Sequence, residues 1–156
     1  MTPAVNFLRE QKIPHETHPF EHVDDDMGYA LGAAQALGVE PGCVFKTLMV
    51  KGSDEFACAM VPANAQLNLK QLAKHLGWKK LTMAQAKDAE RVTGYKVGGI
   101  SPLGQRRRHL TVIDQSALQY SQIYCSAGQR GLDLAISPQS LIGLGITPAS
   151  IADFVS

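Results

Sequence analysis

The chain has 156 residues, of which 45% are hydrophobic and 19% charged, with a formal net charge of +1. That length fits one domain over residues 1–156, and no apolar run approaches the roughly 18 to 20 residues of a membrane span, so a water-soluble globular protein is expected. Three cysteines, 43, 58 and 125, form no C-x-x-C, which argues against a disulfide framework or a zinc ribbon and fits buried free thiols.

The opening MTPAVNFLREQK carries Arg9, Glu10 and Lys12 where a signal peptide would be apolar, so a cytoplasmic protein is expected. Thr2 and Pro3 read as the N-cap and first residue of a short helix whose apolar side is Val5, Phe7 and Leu8. Residues 15–21 read as extended. His15, His18 and His22 lie in or beside them with no ligand partner at a recognised spacing, so no metal is expected and the rings are placed at the surface or an edge. A second helix is predicted over residues 29–37, closed by Gly38, and Pro41-Gly42 turns the chain into a strand.

That strand is CVFKTLMV, residues 43–50. Alternation puts Val44, Lys46, Leu48 and Val50 on one face and Phe45, Thr47 and Met49 on the other. Lys46 therefore interrupts an apolar row. It either snorkels at an edge or, with its head in a cavity, holds a phosphate or carbonyl oxygen, or acts as a base once desolvation lowers its pKa. A strand over residues 55–61 follows, joined to the first by a hairpin through KGSDE.

In NLKQLAKHLGW, Leu69, Leu72, Ala73 and Leu76 recur at helical spacing, with Asn68 as N-cap and Gly77 as stop. Another helix is predicted over residues 84–91, and TGYKVGGISPLGQ is then too rich in glycine and proline to stay regular. Short strands are predicted at HLTVI, QIYCS and LDLAI, with SAGQRG as a small-residue turn between the last two. Two terminal helices are predicted to start at Ser137-Pro138 and Thr147-Pro148. Strands and helices mix without β-α-β alternation, which favours an α+β fold with a sheet or barrel packed against helices.

Charge is unevenly spread. Residues 1–60 hold 4 basic and 9 acidic side chains, residues 61–110 hold 10 and 2, and residues 111–156 hold 1 and 3. Clustered Lys and Arg, including Lys79, Lys80, Arg106, Arg107 and Arg108, are the footprint of phosphate-backbone binding, although an ordinary solvated face is the default explanation of any charge run. Gly98-Gly99 permits close approach of backbone N–H groups to an anionic oxygen, or merely a turn. Asp133 falls in a predicted strand, where a carboxylate needs a donor or a ligand amine. No G-x-S-x-G, H-E-x-x-H, Walker loop or G-x-G-x-x-G is present.

Together, VFKTLMV, TGYKVGGISPLGQ, TVID, IY and RGLDL resemble the YbaK-type aminoacyl-tRNA deacylases, relatives of the editing domain inserted into bacterial prolyl-tRNA synthetases. The resemblance implies a mixed, barrel-like sheet flanked by helices, and a free-standing enzyme that hydrolyses mischarged proline tRNA, typically carrying cysteine, beside prolyl-tRNA synthetase. It implies no cofactor and no membrane association. The family's key lysine matches Lys46, with Thr47 beside it, and its glycine loop matches Gly98, Gly99, Ile100, Ser101 and Pro102. Its pocket serine, aspartate and aromatic fall on Ser126, Asp133 and Tyr29. Phe20 stands where relatives often have tyrosine, a departure that bears on which amino acid is removed, and SAGQRG replaces a more usual S-G-G-K-R-G, putting alanine at 127 and losing a positive charge at Gln129. The family also implies that the substrate's own thiol attacks its ester, so that no protein nucleophile is required. A non-catalytic nucleotide-, tRNA- or synthetase-binding module of the same fold is the competing expectation.

Overall fold

A computed structural model describes residues 1–21 and 28–155. His22 lies outside the described residues. Helix α1, Pro3–Glu10, starts where Thr2 Oγ1 accepts a hydrogen bond from the Val5 N–H at 3.2 Å, and buries Ala4, Val5 and Leu8. Strand β1, Glu16–Pro19, leads to helix α2, Tyr29–Leu37, which ends on Gly38 in the left-handed region at φ 70°. A 3-10 turn at Pro41–Cys43 feeds β2, Phe45–Lys51, and a hairpin returns β3, Phe56–Pro62, pairing Phe45 with Pro62 and Lys51 with Phe56.

After β4, Ala65–Leu67, comes α3, Leu69–Leu76. Asn68 caps α3 by accepting from the Gln71 N–H at 2.9 Å, and Gly77 stops it in the left-handed region. Strand β5, Thr82–Met83, precedes α4, Ala86–Thr93. That helix begins two residues later than expected, because the Ala84 N–H donates to the Met49 carbonyl and prolongs the β5 edge. The remaining elements are β6 (Leu110–Asp114), β7 (Ile123–Gln129), β8 (Leu132–Ile136), α5 (Pro138–Gly143), β9 (Thr147–Ala149) and β10 (Ala152–Phe154).

Two expectations are corrected here. Thr147-Pro148 opens a strand, not a helix: Thr147 pairs with Val112 and Pro148 with Ile113, on an edge strand where a missing N–H sacrifices no interior ladder bond. Ser126 lies within β7, and only Arg130-Gly131 turn the hairpin, with a register shift between Ser126 and Gln129.

The strands form a five-stranded sheet ordered β5-β2-β3-β6-β9, a three-stranded antiparallel sheet β1-β8-β7 and a β10-β4 pair. The fold is α+β as expected. Among the described residues, however, no sheet closes on itself, so the barrel-like form does not arise. One parallel bridge, Val44 to Tyr124, joins the two larger sheets.

Alternation along β2 holds. Phe45 and Met49 enter a core with Leu8, Met60, Ile113 and Ile123. Val50 enters a second core under α3, with Val61, Val112 and Leu72, and Leu48 packs against it from a partly buried position. Both faces of β3 are thereby covered, which is why Ala57, Cys58, Ala59, Met60 and Val61 are all fully buried.

Leu72 carries the contact of α3 with the sheet and has no exposed surface. Leu72→Ala should lower unfolding free energy by about 2 to 5 kcal/mol in a denaturant titration. A loss below about 1 kcal/mol would mean that α3 is not anchored through this side chain.

Candidate functional site

Between its two lateral partners, β2 has an open edge. Its bridge to β7 is at Val44, and pairing with β5 begins only at Val50. Parallel register from Val44–Tyr124 would next oppose Lys46 and Ser126, but no pairing forms there, and both residues instead line a cavity of about 380 Å³. An unpaired edge presents both faces of a strand at once. Lys46 and Leu48 from one face and Phe45, Thr47 and Met49 from the other therefore border the same hollow.

Lys46 is half-buried and, among the described residues, has no carboxylate within ion-pair distance. Burial lowers its pKa below the ordinary lysine value. Thr47 Oγ1 is buried without a hydrogen-bond partner among the described residues, an unmet demand of the kind a ligand satisfies. Across the gap, Asp133 is 3% exposed and pairs in register with His18 of β1 and Ser126 of β7. Burial pushes its carboxyl up to about 7, opposed by the nearby His18.

The glycine-rich segment forms another wall through Gly98 and Ile100. Gly98 has φ +92°, a conformation that favours glycine, and a side chain there would collide with Arg130. Gly99 sits against the hairpin, where a Cβ would fall 2.9 Å from Gln129 Cα. Its N–H donates to the Lys96 carbonyl at 2.9 Å. The amides of Gly98 and Ile100, in contrast, have no acceptor among the described residues. Ser101 and Pro102 lie outside this cavity. Ser101 is fully buried, its Oγ accepting from the Leu103 N–H at 3.3 Å, and Pro102 lines a separate cavity with Leu103, Gly104 and Gln105.

Tyr29, at the start of α2, lines the cavity, and its hydroxyl accepts a hydrogen bond from the Gly131 N–H. Phe20 does not line it, but packs 6.2 Å from the Tyr29 ring and donates its N–H to the Gly131 carbonyl at 2.9 Å. Sequence reasoning missed the apolar lining: Met49, Met83, Ala84 and Val97. Met83 and Val97 are 45% and 41% exposed, and exposed apolar side chains at scattered positions carry no sequence signal before the fold gathers them.

The three cysteines are buried and free. Burial pushes Cys58 up to about 12 and raises Cys43 and Cys125 as well, so none is a thiolate nucleophile near neutrality. Among the described residues, no three His, Cys, Asp or Glu side chains gather into a metal-sized cluster.

Lys79, Lys80 and Arg106 to Arg108 are exposed. Two of the arginines are partly engaged: Arg106 donates to the Arg91 carbonyl at 3.2 Å and Arg108 to the Leu144 carbonyl at 2.8 Å. For Arg107, Lys79 and Lys80 no such bond ties the head group among the described residues.

The family model described as "Aminoacyl-tRNA editing domain" matches residues 29–144. A protein of Enterococcus faecalis named "Putative Cys-tRNA(Pro)/Cys-tRNA(Cys) deacylase EbsC" is 38% identical over 92% of this chain and 87% of its own length. A "Proline--tRNA ligase" of Thermosipho melanesiensis is 29% identical over 62% of this chain, which matches 17% of that much longer protein. Among solved structures, "Crystal structure of a putative trans-editing enzyme for prolyl tRNA synthetase" superposes with TM-score 0.82 at 22% identity, over 98% of both chains. "Crystal structure of hypothetical protein APE2540" gives 0.86 at 22% identity, over 97% and 99%.

The Asp133 carboxyl sets a pH dependence with a definite sign. Its folded pKa is raised above the unfolded value of roughly 3.9, so between about pH 4 and 7 the unfolded chain releases a proton that the folded one keeps. Stability should fall as pH rises through that window, and Asp133→Asn should remove the fall. The wild-type minus Asp133→Asn difference in denaturation free energy is expected to decline by on the order of 1 kcal/mol per pH unit. A pH-independent difference would mean that the buried carboxyl is already ionised.

Proposed function

Because this chain belongs to the aminoacyl-tRNA editing domain family, we propose that it is a trans-editing hydrolase that removes cysteine wrongly esterified to proline tRNA. The observation that carries the reading is Lys46 at the unpaired edge of β2, in a cavity also lined by Thr47, Ser126 and Asp133 and by Gly98 and Ile100, whose N–H groups have no acceptor among the described residues. That set supplies charge, hydrogen bonds and shape, but no activated nucleophile. An aminoacyl ester needs no more, since it is already an activated bond that placement and carbonyl polarisation bring within reach of hydrolysis.

In this mechanism Lys46 holds the phosphate or ester region of the terminal adenosine, and the Gly98 and Ile100 N–H groups face the oxygen that gains negative charge. Asp133, Ser126 and Tyr29 receive the amino-acid end, where a substrate ammonium beside Asp133 would draw its carboxyl into the ionised form. The substrate thiol attacks its own ester carbonyl, its proton passes to the departing ribose oxygen, and water opens the resulting cyclic thioester. Cys43, Cys58 and Cys125 stay outside the chemistry, in keeping with their raised pKa values.

Prolyl-tRNA synthetase is the proposed partner, supported by the kinship with the proline ligases. The proposed setting is the cytoplasm, in keeping with a tRNA substrate; no helix among the described residues is long and apolar enough to cross a membrane. The acceptor stem would lie on the basic segment, with Arg107, Lys79 and Lys80 as its most available cations.

Lys46→Ala should abolish deacylation of cysteinyl proline tRNA, followed as loss of the charged species, while the melting temperature stays close to wild type. Retained activity would reject the role of Lys46. Neutralising Arg107, Lys79 and Lys80 should weaken tRNA binding and flatten its salt dependence by about 0.7 to 0.9 in log–log slope per lost phosphate contact. An unchanged slope would return these residues to an ordinary solvated surface.

A further inference from the structure

Arg130 belongs to the hairpin turn and does not line the cavity, yet it meets two of the cavity's walls. Its Nε donates to the Val97 carbonyl oxygen at 3.4 Å, and the same guanidinium fills the space beside Gly98 where any side chain would stand. Its guanidinium carbon lies 5.9 Å from the Tyr29 ring centroid, within cation–π range. The next residue, Gly131, donates its N–H to the Tyr29 hydroxyl. One exposed cation thus ties the glycine loop and the first turn of α2 to the β7–β8 turn.

Besides Arg130, the loop is held by the Val97 N–H, which donates to Glu90 Oε2 of α4 at 2.8 Å, and by Ile100, buried in the core; the Gly98 peptide lies between these two anchors. Gly98 is in the left-handed region, and the Gly99 N–H to Lys96 carbonyl bond is a local turn contact that does not reach another element. From this geometry we infer that Arg130 is a positioning residue: a latch that fixes the Gly98 peptide, in the loop whose Gly98 and Ile100 line the cavity, against Tyr29. It touches no reacting atom. Its planar fork suits the task, because one edge bonds a carbonyl while the face stacks on a ring.

The inference rests on the deacylase reading for its kinetic consequence, but not for its structural one. In Arg130→Ala, kcat for deacylation should fall about 10- to 100-fold, with KM within about threefold of wild type, as expected when oriented donors are displaced by about an ångström. Hydrogen exchange at the Gly99 amide should accelerate, and ethylguanidinium added to the variant should restore part of both. Arg130→Met keeps the aliphatic stem and serves if the alanine variant does not fold. Unchanged Gly99 protection would overturn the latch. Faster exchange with unchanged kcat would overturn its importance for catalysis. If the wild-type chain itself fails to deacylate, the functional reading falls, and the exchange measurement still decides whether Arg130 holds the loop.

Discussion

The structure depends on a strand, β2, that is paired with β3 along one edge and left open along the other between Val44 and Met49. β2 is tied to β7 at Val44 and to β5 at Val50, and the edge between them is open. An exposed sheet edge is ordinarily a liability, covered or blunted to prevent pairing with other chains. Here the loop carrying Gly98 and Ile100, the start of α2 and the Ser126–Asp133 pair surround it, at a distance that leaves a cavity instead of a contact. Had β7 continued in register, Lys46 and Ser126 would have been ladder partners. The divergence of the two strands is what turns structural residues into site residues.

Burial then sets the electrostatics. Lys46 and Asp133 line the same hollow with opposite formal charges but form no ion pair, and burial is the leading cause of each shift, downward for the ammonium and upward for the carboxyl. Neither compensates the other. On the proposed function, a substrate bringing its own phosphate and ammonium would stabilise both in their charged forms and recover the cost of desolvating them. Thr47 Oγ1, buried and unpartnered among the described residues, adds to the same unmet demand.

Much of this was legible in the sequence, and the limits are physical. Thr2, Asn68, Gly38 and Gly77 marked helix ends correctly because capping is a local interaction. The alternation around Lys46 was readable because period-2 burial leaves its imprint on both faces of β2. Thr147-Pro148 misled because the same pair serves a helix start and a sheet edge, and only pairing with β6 decides between them. Ser101 and Pro102 fall in the right loop but on its far side, since a glycine-rich segment gives no periodicity from which to read direction. Met83 and Val97 were invisible because their role arises when distant elements meet around a gap.

The absence of an activated protein nucleophile among the described residues narrows the chemistry further than the presence of Lys46 does. A hydrolase for a stable amide must supply its own attacking group, a base to activate it and an oxyanion hole. Of the candidates here, the thiols are held protonated by burial, and Ser126 Oγ accepts from the Gly128 N–H at 3.1 Å with no histidine bonded to it. Asp133, raised to about 7 by burial, is matched to taking a proton near neutrality, but among the described residues no hydroxyl or thiol of the protein is bonded to it for activation. Such a site suits a reaction whose barrier is already low and whose nucleophile arrives with the substrate. An ester bearing a thiol meets both conditions, whereas one bearing alanine brings no second nucleophile and depends on water. Selectivity for cysteine can therefore reside in the reaction itself, leaving the apolar walls to provide size and the lysine to provide grip.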